Sequence, residues 1–275
     1  MNEALSRELD VARELAVRAG RHILALHATG IAVERKAGDE PVTRADREAN
    51  ALIESGLRAA FPGDGLLTEE APDDGSRLSR ERVWMVDPLD GTKDFIRGHD
   101  GFSTMIGLLA DDRPALGVVY QPLGDRLYFA TIGGGAFVSE AGGAPERMRV
   151  SDVRELDRIR MVASKSHRDE TIDRVRAQLG IKDELNVGSV GLKLGLIARG
   201  ARDLYVNPAP HSKLWDVCAP EAILVEAGGR LTDLYGGAID YRSPDLRNSR
   251  GLIASNGVVH DAVVAQLAQL FTQEP

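Results

Sequence analysis

Apolar residues recur at helical spacing near the start of the chain. Leu5, Leu9, Ala12, Leu15, Ala16, Ala19, Ile23 and Leu24 fall on one face, which predicts an amphipathic helix ending near Gly30. Thr43 can cap a second helix with Ala49, Leu52, Ile53, Leu57 and Ala60 on one side, closed by Phe61-Pro62-Gly63-Asp64-Gly65. Leu66-Leu67 starts a strand that runs into Glu69 and Glu70, and the polar span 73–82 reads as an exposed loop. The unbroken apolar run 83–86 reads as a buried strand. Short β-rich runs at 102–109, 115–120, 126–131 and 136–139, with turn signals between them, form the pattern of an antiparallel meander. From about Val150 strand and helix alternate: 159–163, 171–179, 185–187, 192–199, 204–206, 217–226, 230–232, 252–254 and 258–271. The pattern predicts an α+β half over 1–150 and an α/β half over 151–275. There is no internal repeat and no low-complexity segment.

The chain has 275 residues, enough to bury a substantial core. Its charge is 34 − 42 = −8, a balance that disfavours a nucleic-acid partner. No apolar run approaches the ~20 residues of a membrane span, and the charged stretch 1–10 lacks the apolar core of a secretory signal. Cys218 is the single cysteine, so no internal disulfide forms. A cytoplasmic protein acting on a small molecule, with neither nucleic acid nor membrane as partner and a monomeric or homodimeric state, is the expectation.

The densest chemistry lies in Trp84-Met85-Val86-Asp87-Pro88-Leu89-Asp90-Gly91-Thr92-Lys93-Asp94-Phe95. A buried strand ends in two carboxylates three residues apart, and Gly91-Thr92 then opens a turn or helix. Hard oxygen ligands at a strand end suit Mg²⁺. Backbone N–H groups at a helix start suit a phosphate. Together they suit metal-assisted phosphoester hydrolysis. Three further acids are ambiguous when taken singly. Glu69-Glu70 reads as a solvated pair, Asp46 as an exposed first-turn acid, and Asp216 as an N-cap or first-turn acid contributing ~1 kcal/mol to its helix.

Taken in order, Pro41-Val42-Thr43-x-x-Asp46, Glu69-Glu70, Asp87-Pro-Leu-Asp90-Gly-Thr92 and Trp215-Asp216 resemble the inositol monophosphatase superfamily of Mg²⁺-dependent, lithium-sensitive phosphatases, from about Thr43 to Asn256. The resemblance implies a layered α-β-α-β-α sandwich of α+β and α/β character, of the sugar-phosphatase type. It implies that Glu69, Asp87, Asp90 and Asp216 are side-chain ligands to two or three Mg²⁺ ions, with Leu89 offering its carbonyl and Glu70 supporting them. Asp46 and Thr92 match the pair that orients the attacking water, and N–H groups around Gly91 and Thr92 would meet the substrate phosphate.

The C-terminal half is similar to the 3′(2′),5′-bisphosphate nucleotidase branch, the CysQ type. The matching segments are Trp215-Asp216-Val217-Cys218-Ala219-Pro220, Lys93-Asp94-Phe95, Ala163-Ser164-Lys165-Ser166-His167 and Gly188-Ser189-Val190-Gly191-Leu192-Lys193. The implied nucleotide-binding residues are Ser164, His167, Gly188, Ser189 and Lys193. Read from the residues alone, the alternative for 188–191 is a tight strand-to-helix turn, and for His167 a cap or surface histidine. Cys218 and Trp215 read as core packing. The expected reaction removes the 3′-phosphate of adenosine 3′,5′-bisphosphate, with the 2′ isomer and the sulfate donor PAPS as related substrates and sulfur metabolism as the setting. An inositol or broad-specificity sugar phosphatase, and a regulatory binding protein with secondary activity, are the alternatives.

Overall fold

The computed structural model describes residues 5–28, 33–35, 41–165, 170–210 and 212–271. Helix α1 (Ser6–His27) is followed by a two-stranded antiparallel ribbon, β1 (Val33–Arg35) and β2 (Pro41–Thr43), and by α2 (Arg44–Ala60). Then come β3 (Gly65–Thr68), β4 (Arg82–Asp90), the short α3 (Thr92–Ile96), β5 (Ser103–Ala110), β6 (Arg113–Gln121), β7 (Arg126–Thr131), β8 (Gly135–Glu140) and β9 (Glu146–Arg147). These strands form one sheet in sequence order, with β3 and β4 parallel and the rest an antiparallel meander.

The remainder supplies β10 (Arg160–Ser164), α4 (Glu170–Leu179), β11 (Asp183–Val187), α5 (Val190–Ala198), β12 (Leu204–Asn207), α6 (Leu214–Glu226), β13 (Arg230–Thr232), β14 (Leu252–Ser255) and α7 (His260–Phe271). The second sheet has the order β11-β10-β12-β14-β13. It is mixed: β10 lies parallel to β11 and β12, whereas β14 is antiparallel to both its neighbours. The α/β expectation for this half therefore holds for three strands and fails at β14.

Three buried clusters define five layers. Leu9, Ala12, Ala16 and Ile23 of α1 and Ala49, Ile53 and Leu57 of α2 pack on Trp84, Val86, Ile106 and Val118 of the first sheet. The other face of that sheet, with Val83, Met85, Met105 and Val119, packs on α5 and α6 through Leu194, Ile197, Val217 and Ala219, and these reach Tyr205 and Ala254 of the second sheet. Ile172 and Val175 of α4 and Val263 and Leu267 of α7 cover the outside. The run 83–86 is uniformly apolar because β4 alternates its side chains between two cores, not between core and water. Close layering needs bare backbone: a Cβ at Gly117 would overlap the Ala219 carbonyl oxygen of α6. Among the described residues no helix is long and apolar enough to cross a membrane.

β4 ends in the two aspartates as expected, with an irregular register between Asp87 and Asp90 around Pro88. One local expectation changes. The span 73–82 is not a plain exposed loop. It contains a 3₁₀ turn at Ser76–Ser79 and the fully buried Arg77, which donates to the Tyr241 and Ser243 carbonyls and pairs with Asp73. A polar sequence gives no sign that an arginine is to be buried by a segment 164 residues away.

Candidate active site

β4 ends, α3 begins, β3 ends and α6 begins around one cavity of about 380 Å³. Glu69, Asp87, Leu89, Asp90, Gly91, Thr92 and Asp216 all line it, with Lys93, Asp94, Ser164, Gly188, Lys193, Tyr205, Asn207 and Lys213 among the remaining walls. Three separate stretches, at 69, 87–94 and 216, thus present their carboxylates to one space; Asp46 does not line it and meets it through Thr92. Glu70 does not line the cavity; it lies within electrostatic reach of Arg47.

Each acid is held by its own backbone. Asp46 is buried at the N3 position of α2, where its Oδ2 accepts from Thr43 N at 2.7 Å and from Thr43 Oγ1 at 2.6 Å. Its Oδ1 faces Thr92 Oγ1 at 3.1 Å, and the same hydroxyl lies 3.1 Å from the Leu89 carbonyl oxygen. The capping residue expected at Thr43 therefore also orients Asp46 for its partner on α3. Asp87 Oδ1 accepts from Leu89 N at 3.0 Å. Asp216 is at once the first-turn acid of α6 and a cavity wall: its Oδ2 accepts from Lys213 N at 2.8 Å. Asp90 Oδ2 accepts from Ser189 Oγ and Val190 N, both at 2.6 Å, and from Gly191 N at 3.2 Å. Asp46, Asp87, Asp90 and Asp216 each turn an oxygen to a neighbouring donor, and among the described residues no three acidic, histidine or cysteine side chains stand together closely enough to hold a metal ion as placed.

The electrostatics show what the cavity wants. Burial first, then the charges of Glu69, Asp90 and Asp216, push the Asp87 carboxyl well above the usual range. Asp90 is raised as well, because burial outweighs the Lys193 charge and the Ser189, Gly191 and Val190 donors. Buried like charges of this kind call for a cation. A set of carboxylates and a carbonyl, all hard oxygens, matches Mg²⁺ in particular. Gly91, at φ 92°, takes a backbone shape that glycine adopts without strain, and a Cβ there would stand 2.5 Å from the Gly101 carbonyl oxygen.

The residues expected around a nucleoside are placed unevenly. Ser164 and Gly188 line the cavity. Ser189 is fully buried; it caps α5 through Leu192 N and donates to Asp90, so it sits beneath the acids. Lys193 is buried too. Its Nζ donates to the Gly188 carbonyl at 2.6 Å and the Val187 carbonyl at 3.3 Å, and lies 5.1 Å from the centre of the Tyr205 ring. Burial lowers its pKa to about 8 against the opposing pull of Asp90, Asp216 and Asp94. His167 lies outside the described residues. Cys218 is a buried core residue, as expected. Sequence reasoning missed Tyr205, Asn207 and Ser212 as cavity walls, and no motif marks them.

The family model described as the inositol monophosphatase family matches residues 4–272. The chain belongs to the inositol monophosphatase family. It is a phosphatase of that family by its match over nearly the whole length. Among curated relatives, the 3′(2′),5′-bisphosphate nucleotidase CysQ of Salmonella typhimurium is 37% identical over 83% of this chain and 91% of the relative. The histidinol-phosphatase of Mycobacterium tuberculosis is 35% identical over 87% of this chain and 89% of its own length. Among solved structures, the IMPase of Thermotoga maritima superposes with a TM-score of 0.82 at 28% identity, covering 97% of this chain and 99% of that one. CysQ from Bacteroides thetaiotaomicron gives 0.79 at 28% identity, covering 93% and 99%. The layered sandwich implied by the sequence is thus the fold of the family.

Proposed function

We propose that this phosphatase removes the 3′-phosphate of adenosine 3′,5′-bisphosphate, giving AMP and inorganic phosphate, and that it depends on Mg²⁺. The observation that carries the chemistry is the meeting of Glu69, Asp87, Leu89, Asp90 and Asp216 with the Thr92–Asp46 pair on one cavity. Glu69, Asp87, Asp90, Asp216 and the Leu89 carbonyl would hold the ions. When bound, Mg²⁺ supplies charge neutralisation and a more acidic attacking water.

The rest is the work of the chain. Thr92 Oγ1 has one hydrogen and two acceptors, Asp46 Oδ1 and the Leu89 carbonyl. With its hydrogen directed to Asp46, the oxygen offers its lone pairs to a water O–H. A proton leaving that water can then pass through Thr92 Oγ1 to Asp46 Oδ1. Thr43 fixes Asp46 from the far side, so the acceptor is already oriented. Asp94 N and Phe95 N donate to the Gly91 carbonyl, so the N–H groups of Gly91 and Thr92 at the start of α3 would meet a phosphate seated there. Ser164 and Gly188 form the wall toward the nucleoside. Lys193, a wall of the cavity, brings a cation beside Asp90 and Asp216 while its Nζ donates to the Gly188 and Val187 carbonyls.

The CysQ relatives, 3′(2′),5′-bisphosphate nucleotidases, support the bisphosphate substrate and its 2′ isomer; action on PAPS, a setting in sulfur metabolism and a cytoplasmic location belong to the same proposal. The histidinol-phosphatase relative, at nearly the same identity, supports histidinol phosphate as a second reading. Steady-state kinetics on adenosine 3′,5′-bisphosphate, histidinol phosphate, inositol 1-phosphate and fructose 1,6-bisphosphate separates them. Highest kcat/KM on the nucleotide supports the proposal, and a clear preference for any other ester overturns the substrate assignment. Millimolar Li⁺ at fixed Mg²⁺ is expected to inhibit.

A further inference from the structure

Two arginines that do not line the cavity are each bound to the other's segment. Arg77, buried in the loop between Glu69 and β4, pairs with Asp73 at 2.8 Å and donates to the Tyr241 carbonyl at 3.3 Å and the Ser243 carbonyl at 2.7 Å. Arg242 lies between those two acceptors and donates back. Its guanidinium reaches the carbonyls of Arg80 at 2.6 Å, Glu81 at 3.0 Å and Arg77 at 3.3 Å, and pairs with Asp112 at 2.6 Å. The two forks thus lace the 77–81 backbone to the 241–243 backbone from both sides. A planar fork with several donors in fixed directions suits this task, and an ammonium on a flexible stem does not.

Both laced segments lead to the acids of the cavity. The loop that Arg77 anchors follows directly on Glu69, whose own N–H donates to the Val86 carbonyl of β4 at 3.1 Å. The segment that Arg242 anchors runs on to Asn248 and holds the turn before Asp216. There Asn248 N donates to the Ser212 carbonyl at 2.8 Å and Leu214 N to the Leu246 carbonyl at 2.9 Å, while the Asn248 side chain donates to Ser212 Oγ and the Lys213 carbonyl. Tyr241 adds a further tie, since its hydroxyl donates to Glu221 on α6, the helix that carries Asp216. Glu69 and Asp216 share a cavity but no strand or helix. The clasp joins their segments by a continuous run of hydrogen bonds, a physical route by which one can bias the other.

We propose that Arg77 and Arg242 are positioning residues whose clasp sets the spacing between the Glu69 and Asp216 segments, so that the two acids are already placed to share a cation site. The inference deepens the proposed function and rests on its Mg²⁺ reading. Coupling between sites is reciprocal. If the clasp favours binding at Glu69 and Asp216, an ion held there steadies the clasp in turn. Arginines with a purely structural task would raise stability without answering to the metal.

Arg242 is the residue to change, because its side chain is partly exposed whereas that of Arg77 is buried. Calorimetric Mg²⁺ titration, steady-state kinetics and amide hydrogen exchange are compared in wild type, Arg242→Ala and Arg160→Ala. Arg160 serves as the control: it pairs with Asp203 and donates to the Gly200 carbonyl, outside both laced segments. In Arg242→Ala the Mg²⁺ dissociation constant should rise about tenfold, while kcat at saturating Mg²⁺ stays within about threefold of wild type. Arg160→Ala should melt at a lower temperature yet keep its Mg²⁺ affinity within about twofold. In wild type, Mg²⁺ should slow exchange at the Arg80 and Asn248 amides more than at the Asp203 amide of the second half, and Arg242→Ala should lose that difference. An affinity in Arg242→Ala within about twofold of wild type, an equal loss in Arg160→Ala, or no added protection at Arg80 and Asn248 overturns this inference alone. A wild type that binds no Mg²⁺ overturns the metal reading and this inference with it.

Discussion

Replacing Thr92 by valine removes one hydroxyl and keeps the shape of the side chain. In the wild type that hydroxyl lies 3.1 Å from both Asp46 Oδ1 and the Leu89 carbonyl oxygen. A hydrogen bond to a charged acceptor contributes about 1.5–3 kcal/mol, so Thr92→Val should lower stability by ~1–2 kcal/mol after relaxation. The catalytic loss should be larger than the same bond would explain. A positioned proton-transfer path contributes about 10²–10⁴ in rate, so kcat at saturating Mg²⁺ is expected to fall at least ~100-fold. Because Thr92 orients water and is not among the expected ligands, the Mg²⁺ dissociation constant should move less than about threefold, a difference of ~0.6 kcal/mol. Thr92→Ser restores the donor and should recover kcat to within about tenfold of wild type. Denaturant melts, calorimetric Mg²⁺ titration and steady-state kinetics on the three proteins give the numbers. A Thr92→Val enzyme within tenfold of wild type, or one whose loss vanishes as Mg²⁺ is raised, would refute the water-orienting role.

Other consequences follow from the same geometry. Asn248 donates to Ser212 Oγ at 2.8 Å and the Lys213 carbonyl at 2.9 Å, fixing the turn before Asp216; Asn248→Ala should weaken Mg²⁺ binding about tenfold in a calorimetric titration, and an unchanged affinity would remove Asn248 from the site's support. Asp87 has a folded pKa raised above its unfolded value, so the folded chain holds the extra proton and metal-free stability falls as pH rises through that window; the melting-temperature gain on adding Mg²⁺ should be larger at pH 8 than at pH 5, and an equal gain would count against it. Burial pushes Glu221 up to about 7 despite the Tyr241 hydroxyl that donates to it, so its ionisation costs stability between about pH 4.5 and 7; Glu221→Gln should exceed wild type by ~2 kcal/mol at pH 8 and match it near pH 4.5, where an equal gain at both pH values would refute the charge argument.

Much of this was legible in the chain. The helical spacing of Leu9, Ala12, Ala16 and Ile23, the cap at Thr43 and the short runs of the meander specify elements locally, and the elements appear where the pattern puts them. The Asp87–Thr92 segment announces its cavity because strand, carboxylates and glycine turn are contiguous. Long-range partnership was not legible. Ser189 is marked in sequence only as a turn or nucleotide-binding residue, and its donation to Asp90, 99 residues away, emerges from the packing. Arg77 is buried where Asp73 pairs with it and the 241–243 backbone offers it carbonyls. Gly188 reads as a turn or nucleotide-binding residue, and its closeness to Asp94 emerges only once the chain is packed.

Anomalous diffraction from crystals soaked in Mn²⁺ and AMP bears most directly on the acids at 69, 87, 90 and 216 forming one cation site. The account predicts a strong peak in contact with the Glu69 and Asp87 carboxylates and the Leu89 carbonyl, absent from Asp87→Asn crystals grown the same way. Peaks confined to other surfaces, or an undiminished peak in Asp87→Asn, would contradict it.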